Sequence, residues 1–445
     1  MLLKKTLAVS CGVLLSLFCC TLPSVCAHRA SLPLTNGIFT GRQGRNHIQG
    51  IAVDEENGYI YCSFTTRLIK LDLQGNLIGS VEGLVGHLGC IAFCPEDGCV
   101  YGSLEFKKDS IGTDILETLG DENTYEDGFY IAVFDASKIT SPDMSAEADG
   151  IMTAAYLPEV FADYTGEGTD LNAQPAAHRY GCSGIDGLCF APAPEDVNGQ
   201  KRLWVAYGVY DDVNRNDNDH QVLLCYDPAA VRACAAPLIQ TAMHRQQPET
   251  PPFRYFAFTG NTEYGVQNLE YDAANNLLLM FVYQGSKPTF TNYRLFAADL
   301  TKPAAQVPLT GLSETGSALT LYGSPAPEST EITGWFSPYG QFGIHRLSDG
   351  RYLVAEPVTQ EEENAAYLYL YMFDPAGGLV KTAAPEEPGS EPATEPQTEP
   401  STEPATEPVT EPATQPSGGS SENIFQRIAD WFRHIFAVIR GWFGN

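Results

Sequence analysis

Three histidines stand where this chain could do chemistry, and two of them reveal the pattern. Residues 47–54 read HIQGIAVD and residues 87–94 read HLGCIAFC, so His47 and His87 precede the same apolar core at the same offset. Three later stretches align with that core, setting Ile51 against Ile91, Leu188, Leu269 and Leu347. Two positions earlier stand Gln49, Gly89, Asp186, Gln267 and His345. Four positions earlier stand His47, His87, Gly184, Gly265 and Gly343. The end of the following apolar run adds Phe64, Glu105, Tyr207 with Tyr210, Gln284 and Glu356. Gathered in one place, His47, His87, His345, Asp186, Glu105 and Glu356 are candidate catalytic groups. Gln49, Gln267, Asn268, Gln284, Tyr207 and Tyr210 are candidate ligand-binding groups. Imidazoles with carboxylates can hold a divalent metal that polarises an ester, lactone or phosphate. The same pair can move protons without metal. Amides and aromatics beside a carboxylate can bind a sugar or a peptide. The chain carries no G-x-S-x-G, H-E-x-x-H or Walker loop, so catalysis would depend on the assembled ring.

A second oxygen-rich stretch is YDDVNRNDNDHQ. Asp212, Asn214 and Asn216 have the alternate spacing of calcium loops, with Asp217 and Asp219 close by. The glycine and terminal glutamate of an EF-hand are missing. The expectation is a looser Ca²⁺ site, or a site for another divalent metal, set against a solvated loop with Asx turns.

The elements that must position these groups follow from the repeat. HIQGIAVDEENGYIYCSFTTRLIKLDLQGNLIG reads as three short strands (Ile51 to Val53, Tyr59 to Phe64, Leu68 to Leu73) joined by turns. Four further copies keep that order, and the third strand of each ends in Asp: Asp72, Asp135, Asp227, Asp299 and Asp374. Repeated antiparallel units with turn signals between them mark a β-propeller, in which neighbouring blades bury each other's faces. The fold expected is all-β, a propeller of five blades. Six is the alternative if residues 300–335 hide a degenerate blade. The innermost strand of each blade lines the channel, so the aligned residues meet at one mouth. The insertion 107–126 reads as a flap over the second blade.

This blade grammar, spanning about residues 45–380, resembles bacterial secreted propellers of the broad NHL, gluconolactonase and quinoprotein-like kind. That resemblance implies a fold and leaves the activity open. QG before a first strand and LIKLDLQGNLIG also look like propeller-type glutaminyl cyclases. The acidic residue expected in YIYCSF is absent, so the cyclase activity is not carried over.

The remaining segments concern location. MLLKK followed by an apolar run and PSVCA fits a secretory signal peptide over 1–27, cleaved after Ala27. Losing Lys4 and Lys5 takes the net charge from −29 to −31. Such an acidic chain, without a basic stripe, argues against nucleic acid as a partner. Eight cysteines remain after the signal, and Cys94 and Cys99 flank a PEDG turn where they could face each other. The propeller domain occupies 28–384. Residues 385–421 repeat E-P-x-T, an extended spacer. Residues 422–445 place Ile, Phe and Trp at helical spacing with Arg off the stripe. They read as an amphipathic helix for a membrane surface or an envelope partner. The sequence therefore describes an exported, monomeric propeller retained at the cell surface, binding a small polar ligand such as a carbohydrate or peptide. The alternatives are a metal- or His/carboxylate-dependent hydrolase or lyase acting on a lactone, phosphoester or glycan, and a protein-interaction propeller.

Overall fold

The computed structural model describes Leu34 and residues 37–382, Glu195 apart. The expected signal peptide over 1–27, the E-P-x-T segment 385–421 and the expected helix over 422–445 lie outside the described residues.

Five sheets correspond to the five sequence repeats. Blade 1 runs Ile48–Asp54, Tyr59–Phe64, Arg67–Asp72 and Leu77–Glu82. Blade 2 runs His87–Cys94, Cys99–Phe106, Gly128–Asp135 and Met152–Tyr156. Blade 3 runs Cys182–Ala191, Arg202–Val209, His220–Tyr226 and Phe253–Phe258. Blade 4 has Thr262–Asp272, Leu277–Gln284 and Leu295–Asp299. Blade 5 has Ile344–Arg346, Tyr352–Gln360 and Glu363–Asp374. The innermost strand of each blade touches that of the next, and blade 5 touches blade 1, so the ring is closed.

The side-chain period of two explains why these strands are apolar throughout. In blade 1, Ala52 and Tyr61 pack against Leu88, Val100 and Leu104 of blade 2. Their neighbours Ile51, Val53 and Cys62 point the other way, against Leu353, Ala355 and Leu368 of blade 5. Each blade is thus buried on both faces, and alternate residues serve alternate neighbours. Equivalent cores fill the gaps between blades 2 and 3, 3 and 4, and 4 and 5. Burying each such aliphatic side chain contributes about 1.5–3 kcal/mol.

The repeated Asp is turn chemistry. In all five blades its Oδ1 accepts the amide hydrogen of the residue two further on, at Gln74, Ser137, Ala229, Thr301 and Ala376. This side chain satisfies the backbone where the third strand turns back.

The ring is sealed by both ends of the domain. Ile38–Phe39 and Gly378–Lys381 pair with different halves of Glu363–Asp374, together supplying blade 5 with an outer edge. Residues 300–335 do not make a sixth blade. Their hairpin, Ala305–Pro308 and Thr315–Ala318, joins the outer edge of blade 3 through a parallel pairing of Ser317 with Tyr255. Met144–Ser145 adds to blade 1 in the same manner, Met144 pairing with Val81. Excursions from one repeat therefore clamp an earlier one. Cys94 and Cys99 are cross-strand partners, as their spacing suggested, and both are free thiols.

Candidate functional site

The inner strands share a defect that creates the site. Pairing slips between Ile48 and Gly50, Leu88 and Ile91, Ile185 and Leu188, and Val266 and Asn268. The extra residues are Gln49, Gly89, Asp186 and Gln267 with their immediate neighbours. The sequence alignment had set these four residues in one column. A β-bulge bends the strand and re-aims the side chain, and here it does so at the same height in four blades.

At the mouth over blades 2 and 3 this brings together His87, Glu105 and Asp186. His87 pairs with Glu105 across adjacent strands of blade 2. Asp186 arrives from the bulge of blade 3. The His87 Nδ1 lies 3.7 Å from Glu105 Oε1 and 3.6 Å from Asp186 Oδ1. Both spans are too long for hydrogen bonds, and the buried Nδ1 has no hydrogen-bond partner. Two glycines make the approach feasible. Gly184, at φ +128, would drive a Cβ into the Glu105 carboxylate, and Gly89 would crowd Ser103 and Asp186.

The sequence reading missed a fourth member. Lys107 lies two residues beyond Glu105, on the same face of the strand, and its Nζ sits 2.6 Å from Glu105 Oε1. It also donates to the Ser183 carbonyl at 2.9 Å and stands 3.5 Å from Asp109 Oδ2. Ile185 N–H donates to Glu105 Oε2 at 2.9 Å, and Gln267 Nε2 donates to Asp186 Oδ2 at 3.0 Å. The flap residues form a helix, Ser110–Leu119, capped by Asp109, whose side chain accepts the Gly112 amide hydrogen. Ile111, Ile115 and Leu116 of that helix line a cleft with His87 and Glu105. An Asp ahead of apolar residues at helical spacing was the legible signal for it.

Burial governs the protonation of the cluster. It pushes the His87 imidazole down to about 3, helped by the Lys107 charge. Burial raises Glu105, against the pull of Lys107. Burial, then the Glu105 charge, raises Asp186 well above the carboxylate range. Burial opposes the Lys107 charge, but Glu105 and Asp109 outweigh it and hold that ammonium charged. Burial thus disfavours the charged form of both the imidazole and the Asp186 carboxyl.

An aromatic wall stands outside this cluster. The Tyr210 hydroxyl donates to Asp109 Oδ2 at 3.2 Å. Its ring lies 5.1 Å from the His178 ring, which lies 4.6 Å from Tyr164. His178 and the nearby Tyr264 hold positive φ, at 66° and 59°.

Other aligned residues go elsewhere. His47 stands beside Asn364, and its charge bears on His87. Gln49 receives, at its carbonyl, the Asn268 amide, which also reaches the Gln341 carbonyl, so Asn268 ties blades 4, 1 and 5 together. His345 does not join His87. Blade 5 has a three-residue inner strand without a bulge, and Gly343 already packs on Gly50 and Ile51. His345 therefore sits further along the channel, 3.8 Å from Glu270. There burial raises Glu270 to about 7 and lowers His345 to about 4. Glu356 turns to Tyr371 and Lys381, each at 2.6 Å, away from the mouth. Gln284 meets Arg294 at the surface. Tyr207 is fully buried and donates to Asp163 at 2.8 Å.

The oxygen-rich loop carries its own cations. Asp217 is held by Arg215 at 2.8 Å and Asp219 by Lys287 at 2.6 Å. Asp212 accepts the Asn214 amide hydrogen in an Asx turn. Asn216 lies against Gly311, where an added Cβ would meet its carbonyl oxygen. Among the described residues, the His/Cys/Asp/Glu group with ligating atoms all within 4.8 Å of one another is His87, Glu105 and Asp186.

Fold and site together define a five-bladed β-propeller with a buried imidazole–carboxylate cluster at its mouth. Three solved structures are distantly similar to the chain. A GH43 β-1,3-galactosidase solved with galactodeoxynojirimycin is 11% identical, with TM-score 0.37, over 78% of this chain and 99% of that one. The Cps50 (Swd1) β-propeller domain of Myceliophteria thermophila is 10% identical, with TM-score 0.28, over 72% and 83%. GH43B of the Bacteroides ovatus xyloglucan locus is 11% identical, with TM-score 0.33, over 79% and 56%. These likenesses concern the fold alone. No family model and no curated protein matches the chain.

Proposed function

We propose that the mouth over blades 2 and 3 binds a small polar ligand, of the carbohydrate class in the first instance. The observation that carries this is the side-by-side placement of an aromatic wall and partly exposed polar groups. The Tyr210 and His178 rings lie 5.1 Å apart, tilted by 51°, beside Asp109, while Asp186 and His87 keep 14% and 13% of their side chains exposed. Ring faces cover the apolar side of a sugar, and carboxyls orient its hydroxyls. Display at the cell surface, through the spacer 385–421 and the helix 422–445, belongs to the same proposal.

A second reading, hydrolysis of a lactone or phosphoester, is favoured by the opposite directions in which burial moves Asp186 and His87.

Calorimetric titration of the full chain with neutral saccharides, amino saccharides and short peptides tests the binding. We expect one class to bind, and Tyr210→Ala and Asp186→Ala each to weaken it at least tenfold, about 1.4 kcal/mol. Absence of binding across the panel, or binding indifferent to both variants, overturns the reading. Deletion of 422–445 is expected to release the protein into the medium. Unchanged cell association removes the anchor.

A further inference from the structure

We infer that His87, Glu105 and Asp186 form a binding site for one divalent transition-metal ion. The inference does not depend on which organic ligand, if any, the mouth takes.

The first ground is geometry. Ligating atoms from three strands in two blades converge within 4.8 Å. The His87 Nδ1 is buried without a partner, yet faces a carboxylate oxygen on either side at 3.6 and 3.7 Å. Those spans fail as hydrogen bonds. They approach the separation of about 3.4 Å that two ligands have across a tetrahedral ion with bonds of about 2.1 Å. The cluster is already spaced as a first shell.

The second ground is the supply of lone pairs. Asp186 Oδ2 is engaged by Gln267, so its Oδ1 remains for a metal. Each Glu105 oxygen accepts one hydrogen bond, from Lys107 and from Ile185, and keeps a second lone pair. These donors act as the outer partners that fix a ligating carboxylate in orientation. One imidazole and two carboxylates suit Zn²⁺, Mn²⁺ or Fe²⁺ better than Ca²⁺, which prefers an all-oxygen shell.

The third ground is charge. With their carboxyls ionised, Glu105, Asp109 and Asp186 outnumber Lys107 by two negative charges. A divalent ion would bring the cluster to neutrality. Lys107 does not occupy the site itself. Its donors are taken by Glu105, Ser183 and Asp109. It lowers the affinity by its charge and holds Glu105 in place. Partial exposure of His87 and Asp186 leaves the outer side of the ion facing the mouth, where a water or a ligand oxygen would complete the shell.

The test uses an untagged full chain, stripped with chelator and titrated with Zn²⁺ and with Mn²⁺. The expected result is one ion bound per chain. His87→Ala and Asp186→Asn should each weaken binding at least about tenfold. His244→Ala should leave it unchanged. A rise in the wild-type melting temperature with metal covers the case in which a variant fails to fold. No stoichiometric ion, or equal affinity in wild type and His87→Ala, overturns the site.

Discussion

The Nδ1 of His87 lies 3.6 Å from Oδ1 of Asp186, although the two residues belong to the inner strands of different blades. They meet because a bulge in blade 3 turns Asp186 toward blade 2, and because Gly89 and Gly184 leave space for the carboxylates. The relationship ties stability and site chemistry to the same few residues.

Glu105 and Lys107 form a buried ion pair, 3% and 4% exposed. Removing one partner strands the other charge. Glu105→Gln is expected to cost about 3–5 kcal/mol in denaturant unfolding, whereas Glu105→Gln with Lys107→Met should recover most of that loss. Additive costs in the double variant would show that the pair is not coupled.

Tyr207 was a candidate ligand residue, and its hydroxyl instead serves Asp163, which Arg254 also holds at 2.7 Å. Tyr207→Phe is expected to lower stability by about 1–2 kcal/mol through the lost hydrogen bond. Ligand or metal affinity should not change. A loss of affinity with stability intact would return Tyr207 to the mouth.

His220 is 2% exposed between Phe256 and Phe258, and burial alone lowers it to about 4. Its folded form prefers to be neutral, so the unfolded chain binds the proton first. The contribution to stability is present above the unfolded value near 6.5 and is lost as pH falls toward 4. The loss amounts to about 3 kcal/mol. His220→Gln should show a shallower decline in unfolding free energy between those limits. An identical pH profile would sink the assignment.

Ile38 is 2% exposed and packs in the core shared by blades 1 and 5, on the short strand that completes the ring. Ile38→Ala is expected to cost about 2–4 kcal/mol, read as a lower denaturation midpoint at unchanged slope. An unchanged midpoint would mean that Gly378–Lys381 closes the ring without it.

Much of the fold was legible because it is local. The short apolar runs in IAVD and YIYCSF, the EENG and PEDG turns and the Asp that ends each third strand all act within a few residues. The candidate site was legible in part. Gln49, Asp186 and Gln267 did share a structural position, the bulge, and His87 with Glu105 did face each other. His345 slipped out of the column because blade 5 has a truncated inner strand. Glu356 and Gln284 found partners in Lys381 and Arg294. The aspartates of the oxygen-rich loop met Arg215 and Lys287, one of them far along the chain. The role of Lys107 became visible only once Ser183 of blade 3 was seen to face it.

By itself, the sequence determined that the chain makes five double-faced blades, since continuous apolar runs and turn residues are written residue by residue. Only the tertiary structure decided which polar groups share a site. That choice depends on where a bulge aims a side chain and on which distant charge it meets. In a buried mouth those two facts set the charge, the protonation and the vacant lone pairs, and so the chemistry.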